Sequence, residues 1–447
     1  QKTAYDISLG LVGSEMCIRD RFLDFGKSFE ISRRYYESPY TRPSTIQELI
    51  SIGSIPDIAN LYTVACDITR ASREEREKWK SGEYSGEEVD PPVDAVFVSH
   101  AHLDHYGYIS LLNRKIPIYL GECAERIVKV RMETSTLSLE TNYLCLNFKT
   151  FRSGNKIRIH DLEIEPVHVD HSVPGAYGFL VHSSEGTIVY TGDINLRKTK
   201  LLNAADVNHG EISCLILEST YATEDHPPRQ EVEKAFVKRV KEVVEDGGTV
   251  LIPAFSVGRS QEVLCILAEQ NFDYPVVMDG MALTVNEVML SYPEYFRDYW
   301  LLRKALENAE WVNRWKERRE ATKKPCVIIS PAGMLQGGAA AFYVKEVAKR
   351  SRNAIFLVSF QIPGTPGRKL LEEKKIFFGG RKINVEAEVE RFDFSSHAGK
   401  SELKELLKNV EGNPTVFLVH GSREKSEKLA EWVKTELGIP VFVPSIG

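Results

Sequence analysis

The chain has 447 residues, 43% of them hydrophobic and 27% charged, with a formal net charge of −6. That length holds two domains, or one large domain carrying an insertion, with ordinary packed cores. The negative charge argues against a general nucleic-acid coat but not against a local basic groove. The seven cysteines are scattered with no CxxC pair, so reduced thiols and a cytoplasmic location are expected, and no apolar run is long enough to span a membrane.

The chain starts at Gln1, and residues 11–21, LVGSEMCIRDR, resemble a translated sequencing-library adapter. Residues 1–21 are therefore expected to be an artefact or a disordered start. Residues 21–26 read as a strand end and a turn, in which Asp24 is a candidate carboxylate for orienting a ligand histidine. Residues 30–92 are polar and broken by prolines, with one charged helix at 70–82.

The next stretch is the most informative. An apolar run at 94–98 reads as a buried strand, and Ser99-His100-Ala101-His102-Leu103-Asp104-His105 follows it. His100 and His102 are two apart, so both can point the same way from an extended strand end. Asp104 and His105 sit where the chain turns into the next element. Three imidazoles and a carboxylate suit Zn²⁺.

Further strands then end in similar residues. The alternating pattern from Ile157 ends at Asp170-His171-Ser172-Val173-Pro174-Gly175. The strand at 186–190 ends in Thr191-Gly192-Asp193, and the one at 215–217 ends in Glu218. Ligands gather at such strand ends in layered α/β sheets.

From residue 229 the texture changes to charged amphipathic helices alternating with buried strands at 248–255, 276–280, 327–330 and 355–359. This spacing predicts parallel βαβ units, with one long charged helix or two over 300–324. The basic runs at 314–319 and 374–375 read as solvated faces. Afterwards Phe394-Ser395-Ser396-His397-Ala398-Gly399 precedes a helix, and a buried strand at 415–419 ends in His420. The last segment resumes the pattern of the first 220 residues, so the middle module reads as an insertion in a discontinuous domain.

HAHLDH, HSVPG, TGD, LILESTY, FSSHAG and LVHG occur here in the order seen in metallo-β-lactamase-fold nucleases of the β-CASP group. That group includes ribonuclease J and the endonucleases of mRNA 3′-end processing. The resemblance covers residue 22 to the end. It implies a four-layer αββα metallo-β-lactamase domain over 22–222 and 386–447, interrupted by a parallel α/β β-CASP domain over 223–385. It also implies two Zn²⁺ ions. His100, His102 and His171 would hold one and Asp104, His105 and His420 the other, with Asp193 bridging them. His397, Glu218 and Asp104 are the catalytic candidates, with His397 as general acid and Glu218 holding its other nitrogen. The expected activity is two-metal hydrolysis of RNA phosphodiester bonds, endonucleolytic or 5′-exonucleolytic, with RNA as partner and a homodimer as one possible assembly.

Arg259 could bind an RNA phosphate or cap the turn into its helix. Ser395 and Ser396 could donate to phosphate or cap the helix that follows. His160, His168, His182, His209 and His226 lie outside any motif and read as structural or surface residues. The chain departs from the family pattern before Asp24, where a first hairpin is missing or replaced, and at FSSHAG, where an Asp often follows the Ala. Other readings are a DNA nuclease of the Artemis-like branch, which lacks a His at the position of His420, and a small-molecule hydrolase of the wider fold. A third is a non-catalytic subunit, against which all seven proposed ligands are present.

Overall fold

A computed structural model describes residues 20–36, 41–63, 74, 78, 89–135, 138–143, 145–207, 209–280, 282–378 and 381–444. The adapter-like residues up to 19, and the helix expected at 70–82 apart from Glu74 and Lys78, lie outside the described residues. Strand β1 (Asp20–Leu23) pairs in parallel with β2 (Val93–Val98), Arg21 standing opposite Ala95. Thus Arg21, at the end of the presumed artefact, is part of the fold. Strands β3 (Pro117–Gly121) and β4 (Asn147–Phe151) complete this all-parallel four-stranded sheet, in the order β1-β2-β3-β4.

A second sheet starts with β5 (Ile157–Ile159), β6 (Leu162–Val169), β7 (Ala176–Ser183) and β8 (Gly186–Tyr190), each antiparallel to the one before except that β8 is followed by the parallel β9 (Cys214–Glu218). The chain then leaves. It builds a six-stranded sheet from β10 (Thr249–Ala254), β11 (Val276–Asp279), β12 (Glu310–Val312), β13 (Cys326–Pro331) and β14 (Ala354–Leu357). A hairpin, β15 (Lys375–Phe378) and β16 (Arg381–Asn384), precedes the sixth strand, β17 (Glu388–Arg391). The order is β12-β11-β13-β10-β14-β17, every pair parallel. The chain returns as β18 (Thr415–Val419), parallel to β9 with Val419 opposite Glu218, and ends at β19 (Val441–Phe442). Residues 201 positions apart thus pair within one seven-stranded sheet.

The two sheets of the discontinuous part pack face to face. Phe97 of β2 meets Phe179 of β7 edge-on at 5.6 Å, and Phe151 of β4 meets the same ring at 5.8 Å. Such pairs add about 0.5–1.5 kcal/mol each beyond the area they bury. Outside the four-stranded sheet, the helix Glu122–Thr134 buries Cys123, Ala124, Ile127 and Val128. Outside the seven-stranded sheet, the helices Lys400–Asn409 and Arg423–Trp432 bury Leu403, Leu407 and Leu429 in a separate core. Helix, sheet, sheet and helix make four layers, with the inserted parallel domain attached.

The segment 300–324 is two helices, Tyr299–Glu307 and Trp315–Ala321, separated by the edge strand β12. Its charge pattern hides a strand that is only three residues long. Strands β12, β15 and β16 are only three or four residues long, too short to signal themselves by periodicity, and β4 is half-exposed.

One turn of the insertion packs tightly against the first domain. Gly258 has φ +79°, and a Cβ there would come within 1.6 Å of the Ser172 carbonyl oxygen. Beside it, Glu262 accepts from the backbone N–H of Lys200 (3.0 Å) and Leu201 (2.8 Å) and is paired with Arg229. Glycine is required here because only it combines that φ with so close an approach.

Candidate metal centre

Strand direction gathers the site. β7 is antiparallel to both β6 and β8, while β8, β9 and β18 are mutually parallel. Strands β6, β8, β9 and β18 therefore all end at one edge, and there they deliver His171, Asp193, Glu218 and His420. Strand β7 runs the other way and contributes no site residue. From the facing sheet, β2 ends at Ser99-His100, and the one-turn helix Leu103–Tyr106 carries Asp104 and His105.

The ligand atoms of His100, His102, His171 and Asp193 all lie within 4.8 Å of one another. So do those of Asp104, His105 and His420, and those of Asp193, His397 and His420. The facing nitrogens of His100 (Nε2) and His102 (Nδ1) are 2.9 Å apart, and those of His105 and His420 (both Nε2) are 3.2 Å apart. A tetrahedral ion with nitrogens at about 2.0–2.1 Å would hold them about 3.3 Å apart. Asp193 Oδ2 lies 3.8 Å from His100 Nε2, 3.7 Å from His171 Nε2 and 3.3 Å from His105 Nε2. Its Oδ1 is buried with no hydrogen-bond partner. It lies 3.5 Å from His420 Nδ1, and a buried carboxylate oxygen without a hydrogen bond is costly unless a cation meets it.

Each histidine of both clusters is also held by its other nitrogen. His105 Nδ1–H donates to Asp24 Oδ2 at 2.7 Å, and His171 Nδ1–H donates to the Ser396 carbonyl at 2.7 Å. His100 Nδ1 is 3.0 Å from Ser99 Oγ, His420 Nδ1 is 3.0 Å from Thr220 Oγ1, and His102 Nε2 is 3.4 Å from Ser172 Oγ. Such outer contacts fix ring orientation and tautomer. Asp24 is the hub. Its fully buried carboxylate also accepts from Ser99 N–H (2.6 Å), Ser99 O–H (2.7 Å) and Tyr190 O–H (2.6 Å). Asp24 and His420 both sit at positive φ, 67° and 60°, a strained setting for a non-glycine residue.

The electrostatics divide the histidines. Burial, then the neighbouring imidazoles, holds His100 and His171 well below the ordinary range, and burial pushes His102 down to about 4. Neutral imidazole offers the lone pair a cation needs. Burial would raise Asp193, but the charges of His420 and His105 hold it well below the usual carboxylate range. His397 behaves oppositely. Burial would lower it, but the Glu218 and Asp193 carboxylates push it up to about 9. Its Nδ1–H donates to Glu218 Oε1 at 2.9 Å, and its Nε2 is 4.0 Å from Asp193 Oδ2.

The expected substrate contacts fare differently. Arg259 is buried, and its guanidinium donates to the Phe394 carbonyl and, at 3.3 Å, to Ser396 Oγ. It ties the inserted domain to the FSSHAG loop instead of facing outward, and burial, with Arg229 nearby, lowers it to about 10. Ser396 is buried too. Ser395 donates its N–H to Asp393 Oδ1 at 2.9 Å, so the pair shapes the loop and caps no helix.

Sequence reasoning passed over His226. Its Nδ1–H donates to Asp393 Oδ2 at 3.0 Å, and its ring is 4.4 Å from that of Tyr221, which itself is 6.1 Å from His397. A histidine three residues before a charged helix carries no local sign of this role. His160 instead pairs with Asp94 at 3.2 Å, and His182 approaches Thr187 Oγ1 at 3.1 Å, both outside the clusters.

Three family descriptions match the chain: a beta-lactamase superfamily domain over residues 72–245, a Beta-Casp domain over 260–370, and a Zn-dependent metallo-hydrolase RNA specificity domain over 382–444. The chain is 42% identical over 377 residues to a Saccharolobus solfataricus protein named RNase aCSPSF2, covering 81% of this chain and 75% of that one. It is 34% identical over 393 residues to a Methanocaldococcus jannaschii protein named Probable RNase MJ4, covering 81% and 91%. A solved structure of an Enterococcus faecalis protein of unknown function shares the fold, with a TM-score of 0.57 at 16% identity, covering 96% of this chain and 93% of that one.

Proposed function

Because the chain belongs to the β-CASP family of metallo-β-lactamase-fold hydrolases, we propose that it is a zinc-dependent ribonuclease working with two zinc ions. The observation that carries this reading is the buried Asp193 carboxylate between two ligand clusters, its Oδ1 without a hydrogen-bond partner and 3.5 Å from His420 Nδ1, with the His397–Glu218 pair beside them. His100, His102 and His171 would hold one ion, Asp104, His105 and His420 the other, and Asp193 both. We assign 22–222 and 392–447 to the metallo-β-lactamase domain and 223–391 to the β-CASP domain, because β17 pairs with β14 in the inserted sheet, six residues beyond the boundary at 385 expected from the sequence.

Bound there, the ions supply Lewis acidity toward a phosphodiester and its attacking water. The chain's own part is positioning and proton transfer. The Asp24 hub holds His105 and Ser99. His397 keeps Nδ1–H on Glu218, which leaves the Nε2 proton for the departing oxygen of the cleaved bond. The shared outer bonds of the histidines keep the site geometry fixed before substrate arrives.

No helix among the described residues is long and apolar enough to cross a membrane. The match of residues 382–444 to an RNA specificity domain, and the relatives named as RNases, support RNA over DNA. The test is end-labelled RNA and matched single-stranded DNA, incubated with wild type and His397→Ala at equal zinc content. RNA cleavage that collapses in the variant is expected. Preferential cutting of DNA, or turnover of a lactam or thioester with RNA left intact, would overturn the reading.

A further inference from the structure

The C-terminal edge of the inserted sheet faces the metal centre. Phe255, one residue beyond β10, has its ring 6.5 Å from that of His102. Along that edge the strand order β10-β13-β11-β12 leads away from the centre. At ~4.8 Å per strand, the end of β12 is about 14 Å from the end of β10. There the chain presents Trp315, the first residue of the helix Trp315–Ala321, with 58% of its surface exposed.

This tryptophan is rigidly mounted. Its ring packs edge-on against Phe342 at 5.3 Å, and the Arg318 guanidinium lies 5.0 Å from its centroid. Arg318 is itself fixed by two hydrogen bonds, 2.7 and 2.8 Å, to the fully buried carboxylate of Asp279, which also accepts from Tyr343 O–H at 2.7 Å. Arg314, Lys316 and Arg319 stand exposed around it. Glu317, on the same helix, is turned onto the backbone N–H groups of Asn313 and Arg314. In sequence this is a charged helix face. In the fold it is an aromatic ring with cationic neighbours, on the same sheet edge as the site.

We propose that Trp315 is a stacking platform for one base of single-stranded RNA lying along the edge of the inserted sheet. It would take a nucleotide several positions along the strand from the one at the metal centre. Stacking on an aromatic ring reads no particular base, while the surrounding cations meet the phosphates. The inference rests on the ribonuclease reading and names a contact for its substrate.

The test measures binding apart from cutting. Anisotropy of a labelled single-stranded RNA gives its affinity for wild type, Trp315→Ala and Trp315→Phe, and a set of the same RNA, each with one abasic position, is run in parallel. Trp315→Ala is expected to weaken binding of intact RNA roughly 5- to 150-fold, the factor equivalent to about 1–3 kcal/mol per stacked base, with Trp315→Phe between. Wild type should lose affinity at one abasic position at which Trp315→Ala loses none. Unchanged affinity in Trp315→Ala, or an abasic penalty that persists in it, overturns the inference while cleavage by wild type leaves the ribonuclease reading standing. Trp315→Ala that changes the oligomeric state with RNA affinity unaltered makes this face a contact between copies, and the inference falls. Binding without any cleavage would count against the ribonuclease reading alone.

Discussion

His397 and Glu218 are 179 residues apart in the chain and 2.9 Å apart in the fold, Nδ1 to Oε1. One comes from the loop that follows the inserted domain, the other from the strand that precedes it. Their pairing explains why a buried imidazole is raised to about 9 when burial alone would lower it.

That relationship fixes a pH signature. The protonated form of His397 is present below about 9 and is lost as pH rises through that value. Removing the Glu218 charge removes the largest raising influence, so Glu218→Gln should move the basic limb of kcat to lower pH. His397→Ala should lower kcat by roughly 10²–10⁴-fold and abolish that limb. A pH–rate profile of Glu218→Gln superimposable on wild type would show that the pair does not set the proton.

Asp24→Ala should weaken metal binding about 10- to 100-fold, because His105 loses the partner that orients it. It also strands Ser99, His105 and Tyr190 donors in the interior, at about 1–3 kcal/mol for each unsatisfied group. Zinc titration against a competing chelator and a denaturant midpoint measure the two effects. Wild-type zinc affinity in the variant would remove Asp24 from the site.

Metal and fold are coupled. Zinc at about 100 times its dissociation constant should add about 2.7 kcal/mol of stability through binding the folded state alone. Chelation should lower the melting midpoint accordingly, and zinc should restore it. Elemental analysis should find two zinc ions per wild-type chain and fewer in Asp193→Ala. One ion per wild-type chain would leave Asp193 with nothing to bridge.

His226 supports the loop that carries His397. His226→Ala leaves the half-buried Asp393 carboxylate without the hydrogen bond that, with the Ser395 N–H, overcomes burial and holds it at about 2. We expect a fall in kcat of about tenfold or more, corresponding to at least ~1.4 kcal/mol, with substrate affinity retained. His226→Asn, which can still donate near the Nδ1 position, should recover part of it. Equal losses in both variants, with substrate affinity falling in step, would argue for a general folding defect.

Much of the site was legible because its residues sit at strand ends. Asp193 and Glu218 close apolar runs with period or burial strong enough to mark the strand, so the position of each carboxylate at a sheet edge could be read directly. Arg259 and Ser396 were not legible. Both are polar residues in glycine- or serine-rich turns, and nothing local distinguishes a side chain that meets substrate from one that joins two segments 137 residues apart. Trp315 is the same difficulty in reverse. Its neighbours are charged, so its helix reads as a solvated face until the strand order places it on the site's edge.

The sequence by itself determined which side chains can bind a cation and that strands deliver them, since ligand chemistry and hydrophobic periodicity are local properties. Only the tertiary structure decided which of those strand ends share an edge, which nitrogen of each histidine turns inward, and which arginine is buried as a tie. Those outcomes depend on strand direction and long-range pairing, such as β18 against β9, and no segment carries that information alone.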